Sequence, residues 1–129
     1  MSHTIMIVDD SAIIRLQLSS ALKKNGYQVV EAVNGADALN FAQQRNDIDL
    51  VITDINMPVM DGLTFLAQLR ALDGYGALPI FVLTTESTDH IQDEGREKGA
   101  TAWVVKPFDE AALMAGIRNC LEPSDSTQA

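Results

Sequence analysis

The chain has 129 residues, 47% of them hydrophobic and 21% charged, and a formal net charge of −9 at pH 7. That length suits one domain with a continuous core, and the acidity disfavours direct binding to nucleic-acid phosphates or anionic lipid. No apolar run reaches membrane-spanning length, Met1-Ser2-His3-Thr4 opens no signal peptide, and the single cysteine, Cys120, excludes an internal disulfide, so a cytoplasmic protein is expected.

Strand-like and helix-like segments alternate five times. Ile5-Met6-Ile7-Val8 predicts the first strand. Ser11 is a good N-cap for the first helix, whose Ile14, Leu18, Ala21 and Leu22 recur on one face, and Asn25-Gly26 stops it. Tyr27 to Val33 predicts the second strand, and Asn34-Gly35 leads into a helix with Leu39 and Ala42 inward. Leu50-Val51-Ile52-Thr53 predicts the third strand. Asp61 caps a third helix that buries Phe65, Leu66 and Leu69, and Gly74-Tyr75-Gly76 ends it. Pro79 opens the fourth strand, Ile80-Phe81-Val82-Leu83. A fourth helix, about Thr88 to Lys98, carries seven titratable residues and only Ile91 as a clear apolar anchor, so it is expected to pack thinly. Trp103-Val104-Val105 predicts the fifth strand, and Asp109 caps the last helix, where Cys120 is expected to be buried. One domain over 1–122 and a disordered tail over 123–129 are expected.

Runs that are apolar on both faces suit a parallel sheet covered by helices on each side, an α/β three-layer (βα)5 sandwich. Such sheets place their sites at the carboxyl ends of the strands. There the sequence puts Asp9-Asp10, Asp54, Thr84-Thr85 and Lys106-Pro107. Three carboxylates gathered at one point would repel one another unless a cation joined them, and oxygen ligands suit a hard ion such as Mg2+. Asp9-Asp10 could also serve to cap the first helix. His3 and His90 have no paired ligand spacing, and Met57 and Met60 are expected to pack in the loop after Asp54 or touch a partner.

Asp9-Asp10, Asp54-Ile55-Asn56-Met57-Pro58, Met60-Asp61-Gly62, Thr84 and Lys106-Pro107-Phe108, in this order at successive strand ends, resemble the receiver domain of two-component response regulators over residues 4 to about 121. The resemblance implies a flavodoxin-like fold with strand order 2-1-3-4-5. It implies Asp54 as phosphoacceptor, with Lys106 and Thr84 closing on the phosphoryl group. It implies Mg2+ held by Asp9, Asp10, Asp54 and the main-chain carbonyl of Asn56. Trp103 matches an aromatic switch position, Asn56 and Glu86 match positions that tune hydrolysis of the acyl phosphate, and Pro107 matches a cis proline. Thr84-Thr85-Glu86-Ser87 and the run from Glu94 to Phe108 look closest to stand-alone chemotaxis regulators. The partners implied are a sensor histidine kinase, the flagellar motor switch protein and a phosphatase, met by a monomer through the fourth helix, fifth strand and fifth helix. Such a protein promotes its own modification without turning over a separate substrate.

Other readings fit less well. A phosphorelay intermediate or phosphate sink would use the same residues without binding the motor switch. A phosphatase of the haloacid-dehalogenase type resembles Asp-x-Asp after a strand, and here Asn56 replaces the second acid. A flavin site would need a phosphate-binding loop where Asp9-Asp10 stands.

Overall fold

The computed structural model describes residues 3–122. In chain order the elements are β1 (Thr4–Val8), α1 (Ala12–Lys24), β2 (Gln28–Ala32), α2 (Gly35–Gln44), β3 (Ile48–Thr53), α3 (Gly62–Ala71), β4 (Ile80–Thr84), α4 (Asp89–Glu97), β5 (Ala102–Val105) and α5 (Glu110–Leu121). The five strands form one parallel sheet in the order β2-β1-β3-β4-β5, as the resemblance implied. The expected tail over 123–129 lies outside the described residues.

Local chemistry sets the helix starts. Ser11, Asn34, Asp61, Thr88 and Asp109 are the N-caps, and each side-chain oxygen accepts a backbone N–H from the first turn. Asn25 caps the end of α1, and Gly26 at φ +91 turns the chain out of the helix.

Alternation along the strands builds two cores. Ile5, Ile7, Leu50, Ile52, Phe81 and Leu83 face one side with Leu18 and Leu22 of α1 and Leu113 and Ile117 of α5. Met6, Val8, Val51 and Ile80 face the other with Ala38 and Leu39 of α2 and Phe65, Leu66 and Leu69 of α3. Completely burying each large side chain contributes roughly 1.5–3 kcal/mol, so these two cores supply much of what holds the sheet to its helices. The α4 helix contrasts with this, since Gly95 is its one buried residue.

Several expectations are corrected. The first and third strands begin earlier than expected, at Thr4 rather than Ile5 and at Ile48 rather than Leu50. The second strand is Gln28–Ala32 rather than Tyr27 to Val33, because β1, its only partner among the described residues, supplies five paired positions. The third helix ends at Ala71, where Leu72 turns extended at ψ 141; the glycines Gly74 and Gly76 belong to the following loop, in which Tyr75 is buried. The fifth strand begins one residue early, at Ala102, which pairs with Phe81. Cys120 is half-buried at the rim of the first core: it lies on the last turn of α5, beyond Ile117.

Candidate active site at the carboxyl ends of the strands

Register brings the site together. Val8 pairs with Thr53, so the next residues, Asp9 and Asp54, emerge side by side, and the Asp54 N–H donates to the Val8 carbonyl at 3.0 Å. Both acids are buried. Thr84 pairs with Val105, and the Lys106 N–H donates to the Thr84 carbonyl at 2.8 Å. The β5 strand stands two strand spacings from β3, roughly 10 Å, so only a long side chain can cross. The Lys106 ammonium does so, donating to Asp54 Oδ2 at 2.9 Å and to Asp9 Oδ2 at 3.1 Å. The Lys106–Pro107 peptide is cis.

The remaining carboxylate oxygens are also engaged. Asp54 Oδ1 accepts the Ile55 N–H at 2.6 Å, and Asp9 Oδ1 accepts the Ser11 N–H at 2.9 Å. Burial pushes the Asp9 carboxyl above its ordinary range, and the Ser11 N–H and the Lys106 ammonium offset this only in part. Burial alone would lower the Lys106 ammonium, but the hydrogen bonds and charges of Asp54 and Asp9 outweigh it and raise the group.

Asp10 is exposed, and one oxygen from each of Asp9, Asp10 and Asp54 lies within 4.8 Å of the others. One ammonium against three carboxylates leaves this cluster net negative. An all-oxygen donor set of this charge fits a hard divalent cation. The N-cap of α1 is Ser11, which accepts from Ile14 at 3.3 Å, rather than the acidic pair.

Thr84 is wholly buried, and its hydroxyl accepts the Glu86 N–H at 3.3 Å. Asn56 and Glu86, which the sequence placed on separate loops, meet: Asn56 Nδ2 donates to Glu86 Oε2 at 3.0 Å. The half-buried Trp103 donates its indole N–H to the Glu86 carbonyl at 2.8 Å. One loop thus touches both the mouth of the site and the aromatic residue. Met57 and Met60 pack against the second core. His90 is exposed, and His3 faces Asp49 at 3.7 Å near the start of β1, at the opposite end of the sheet.

Two contributors escaped the sequence reading. Arg15 donates to the Asp9 carbonyl at 2.7 Å and to Glu31 Oε1 at 3.2 Å. Its signal was a cation near the start of a helix, where the dipole disfavours positive charge. Gly95 lies under the Trp103 ring; its signal was a glycine inside a helical segment.

Residues 5–118 match the family described as response regulator receiver domain. The chain is 37% identical over 126 residues to the transcriptional regulatory protein PrrA of Mycobacterium tuberculosis, covering 98% of this chain and 53% of PrrA. It therefore spans about half the length of that regulator. It is 35% identical to the chemotaxis protein CheY of Bacillus subtilis, covering 94% of this chain and 99% of CheY. The solved structure of Vibrio cholerae chemotaxis protein CheY4 superposes with a TM-score of 0.88 at 38% identity, covering 93% of this chain and 99% of that one.

Proposed function

This chain belongs to the receiver domain family of response regulators, and from that premise we propose that it is a phosphorylation-driven signalling switch, modified on Asp54 by a sensor histidine kinase. The observation that carries the reading is the Lys106 ammonium held between the Asp54 and Asp9 carboxylates, with Asp10 beside them.

One Asp54 oxygen bonds to phosphorus as the phosphorus–nitrogen bond of the donor phosphohistidine breaks, and the leaving imidazole nitrogen takes up a proton. Lys106 supplies a fixed positive charge to the phosphoryl oxygens as negative charge shifts onto them. Thr84 then turns its hydroxyl to a phosphoryl oxygen, releasing the Glu86 N–H. Asp9, Asp10 and Asp54, with the Asn56 main-chain carbonyl, would hold Mg2+, which supplies charge neutralisation for the incoming anion. Water attack on the acyl phosphate returns Asp54 and inorganic phosphate, and Asn56 and Glu86, hydrogen-bonded across the mouth, are placed to limit water's approach. The reaction modifies the protein itself, so no separate substrate is turned over.

The end-to-end match to CheY of Bacillus subtilis supports a chemotaxis role. The output is binding of a partner such as the flagellar motor switch protein through α4, β5 and α5. A relay intermediate or phosphate sink shares the chemistry and lacks that binding.

The test uses a small phosphoramidate, Mg2+ and intact-mass measurement. The protein gains one phosphoryl group, Asp54→Asn gains none and keeps the fold, and Trp103 emission changes with modification. Phosphoryl incorporation on an aspartate of Asp54→Asn would refute the assignment. Motor-switch binding that rises with phosphorylation separates the chemotaxis role from the relay.

A further inference from the structure

The Asp9–Asp10 peptide links the two acids that begin the site, and its carbonyl oxygen is the one Arg15 grips at 2.7 Å. The same guanidinium donates through Nε to Glu31 on β2 at 3.2 Å. The Arg15 side chain is 18% exposed and that of Glu31 42%, so the bond to the Asp9 carbonyl is partly enclosed while the pair with Glu31 lies at the surface. The rest of Asp9 is already held: its N–H donates to the Ala32 carbonyl at 3.2 Å, and its carboxylate accepts from Ser11 and Lys106. Its carbonyl sets the plane of the next peptide, and that plane sets the direction in which the exposed Asp10 side chain leaves the backbone.

From this geometry we propose that Arg15 is a positioning residue for the divalent-cation site. Oriented by Glu31, it fixes the Asp9–Asp10 peptide plane and so aims the Asp10 carboxylate at the cluster with Asp9 and Asp54. The proposal rests on the cation site proposed above and assigns a role to residues outside its ligand set.

The planar guanidinium matters. Its Nε and a terminal nitrogen reach two acceptors at once from one rigid plane, which a lysine ammonium on a flexible stem does not reproduce. Groups that orient ligands from behind in this way change metal affinity by about 10–100-fold when removed. Charge alone predicts the opposite sign. Arg15 is a cation near a cation site, so its removal without loss of geometry would tighten binding of a second cation.

The experiment is a Mg2+ titration of the unphosphorylated protein, followed by calorimetry and by Trp103 emission, with circular dichroism and melting recorded without metal. Arg15→Gln is expected to weaken Mg2+ binding about tenfold despite losing a like charge. Arg15→Lys, which keeps the charge, is expected to weaken it as well, and Glu31→Gln by a smaller factor in the same direction. A folded Arg15→Gln whose affinity is unchanged or tighter overturns the positioning role. If Arg15→Gln does not fold, unchanged affinity in Arg15→Lys and Glu31→Gln overturns it equally. Wild-type protein that binds no Mg2+, or binds it unaltered in Asp54→Asn and Asp10→Asn, would instead remove the underlying site.

Discussion

Two helix-interior glycines should respond oppositely to the same substitution. Replacing glycine by alanine inside a helix contributes about 1 kcal/mol of stability when the new methyl has room. At Gly116 in α5 the methyl would meet Phe81 Cε2 at 3.4 Å, an ordinary contact. Gly116→Ala is therefore expected to stabilise by up to about 1 kcal/mol. At Gly95 in α4 it would stand 2.5 Å from Trp103 Cζ3 and 3.2 Å from Cε3. Carbon atoms settle near 3.5–4.0 Å, so the ring or the helix must give about 1 Å. Overpacking of this kind costs about 1–3 kcal/mol. A moving ring also strains the indole bond to the Glu86 carbonyl, whose net worth is about 1 kcal/mol. These losses outweigh the propensity gain, and Gly95→Ala is expected to be about 1–2 kcal/mol less stable than wild type. Urea unfolding measures both variants. Trp103, the single tryptophan, reports the site through its emission and its indole N–H resonance, which should move in Gly95→Ala and stay in Gly116→Ala. If Gly95→Ala stabilises as Gly116→Ala does, with an unchanged indole resonance, the ring is not seated on Gly95 and the reasoning fails.

Three further outcomes follow from local geometry. Val59 is 84% exposed at φ 71, in a tight turn closed by Met60 N–H to the Pro58 carbonyl at 2.7 Å; a β-branched residue is strained there. Val59→Gly, which removes the Cβ that makes this positive φ costly, should raise the stability measured by urea unfolding, and no gain would refute the strain. A methyl at Gly62 would overlap the Asp54 carbonyl, a backbone atom that cannot step aside without moving the site, so Gly62→Ala should cost about 3 kcal/mol or more in thermal melts and impair phosphoryl incorporation by intact mass. The Tyr75 hydroxyl lies 2.6 Å from the Arg45 carbonyl and 3.0 Å from that of Ala42, so Tyr75→Phe should cost about 1 kcal/mol at neutral pH. Burial, then the Asp47 carboxylate, raises the phenol above 10.0; the neutral phenol's contribution is complete below the unfolded value and is lost as pH rises through the folded one. The deficit of Tyr75→Phe should therefore shrink in melts above pH 10, and a constant deficit would contradict the shift.

Much of the site was readable because its parts punctuate the chain at intervals that local rules detect. A strand of Ile and Val followed by Asp9-Asp10, or by Asp54, marks a strand end whatever surrounds it. Caps behave the same way: Ser11, Asp61 and Asp109 accept N–H groups two or three residues ahead, a geometry internal to one helical turn. The thin packing of α4 was legible from its charges, and Gly95 is the sole buried position there. The order of the acids, threonine and lysine carried the resemblance that brought the strand order with it.

Contacts between distant segments had no such local signature. Lys106 reaches Asp9 across 97 residues of sequence, and Asn56 meets Glu86 across 30; each pairing depends on strand register and on which strands are neighbours. The length of β2 was decided by the five positions β1 offers it. Arg15 reads on its own as a surface cation on a helix, and becomes a clamp only when β1 ends beneath it and β2 brings Glu31 alongside. Short-range rules thus determined the elements and the kinds of residue at their ends, whereas the sheet, by setting spacings of a few ångströms between strands, decided which charged groups touch and which peptide carbonyls are held.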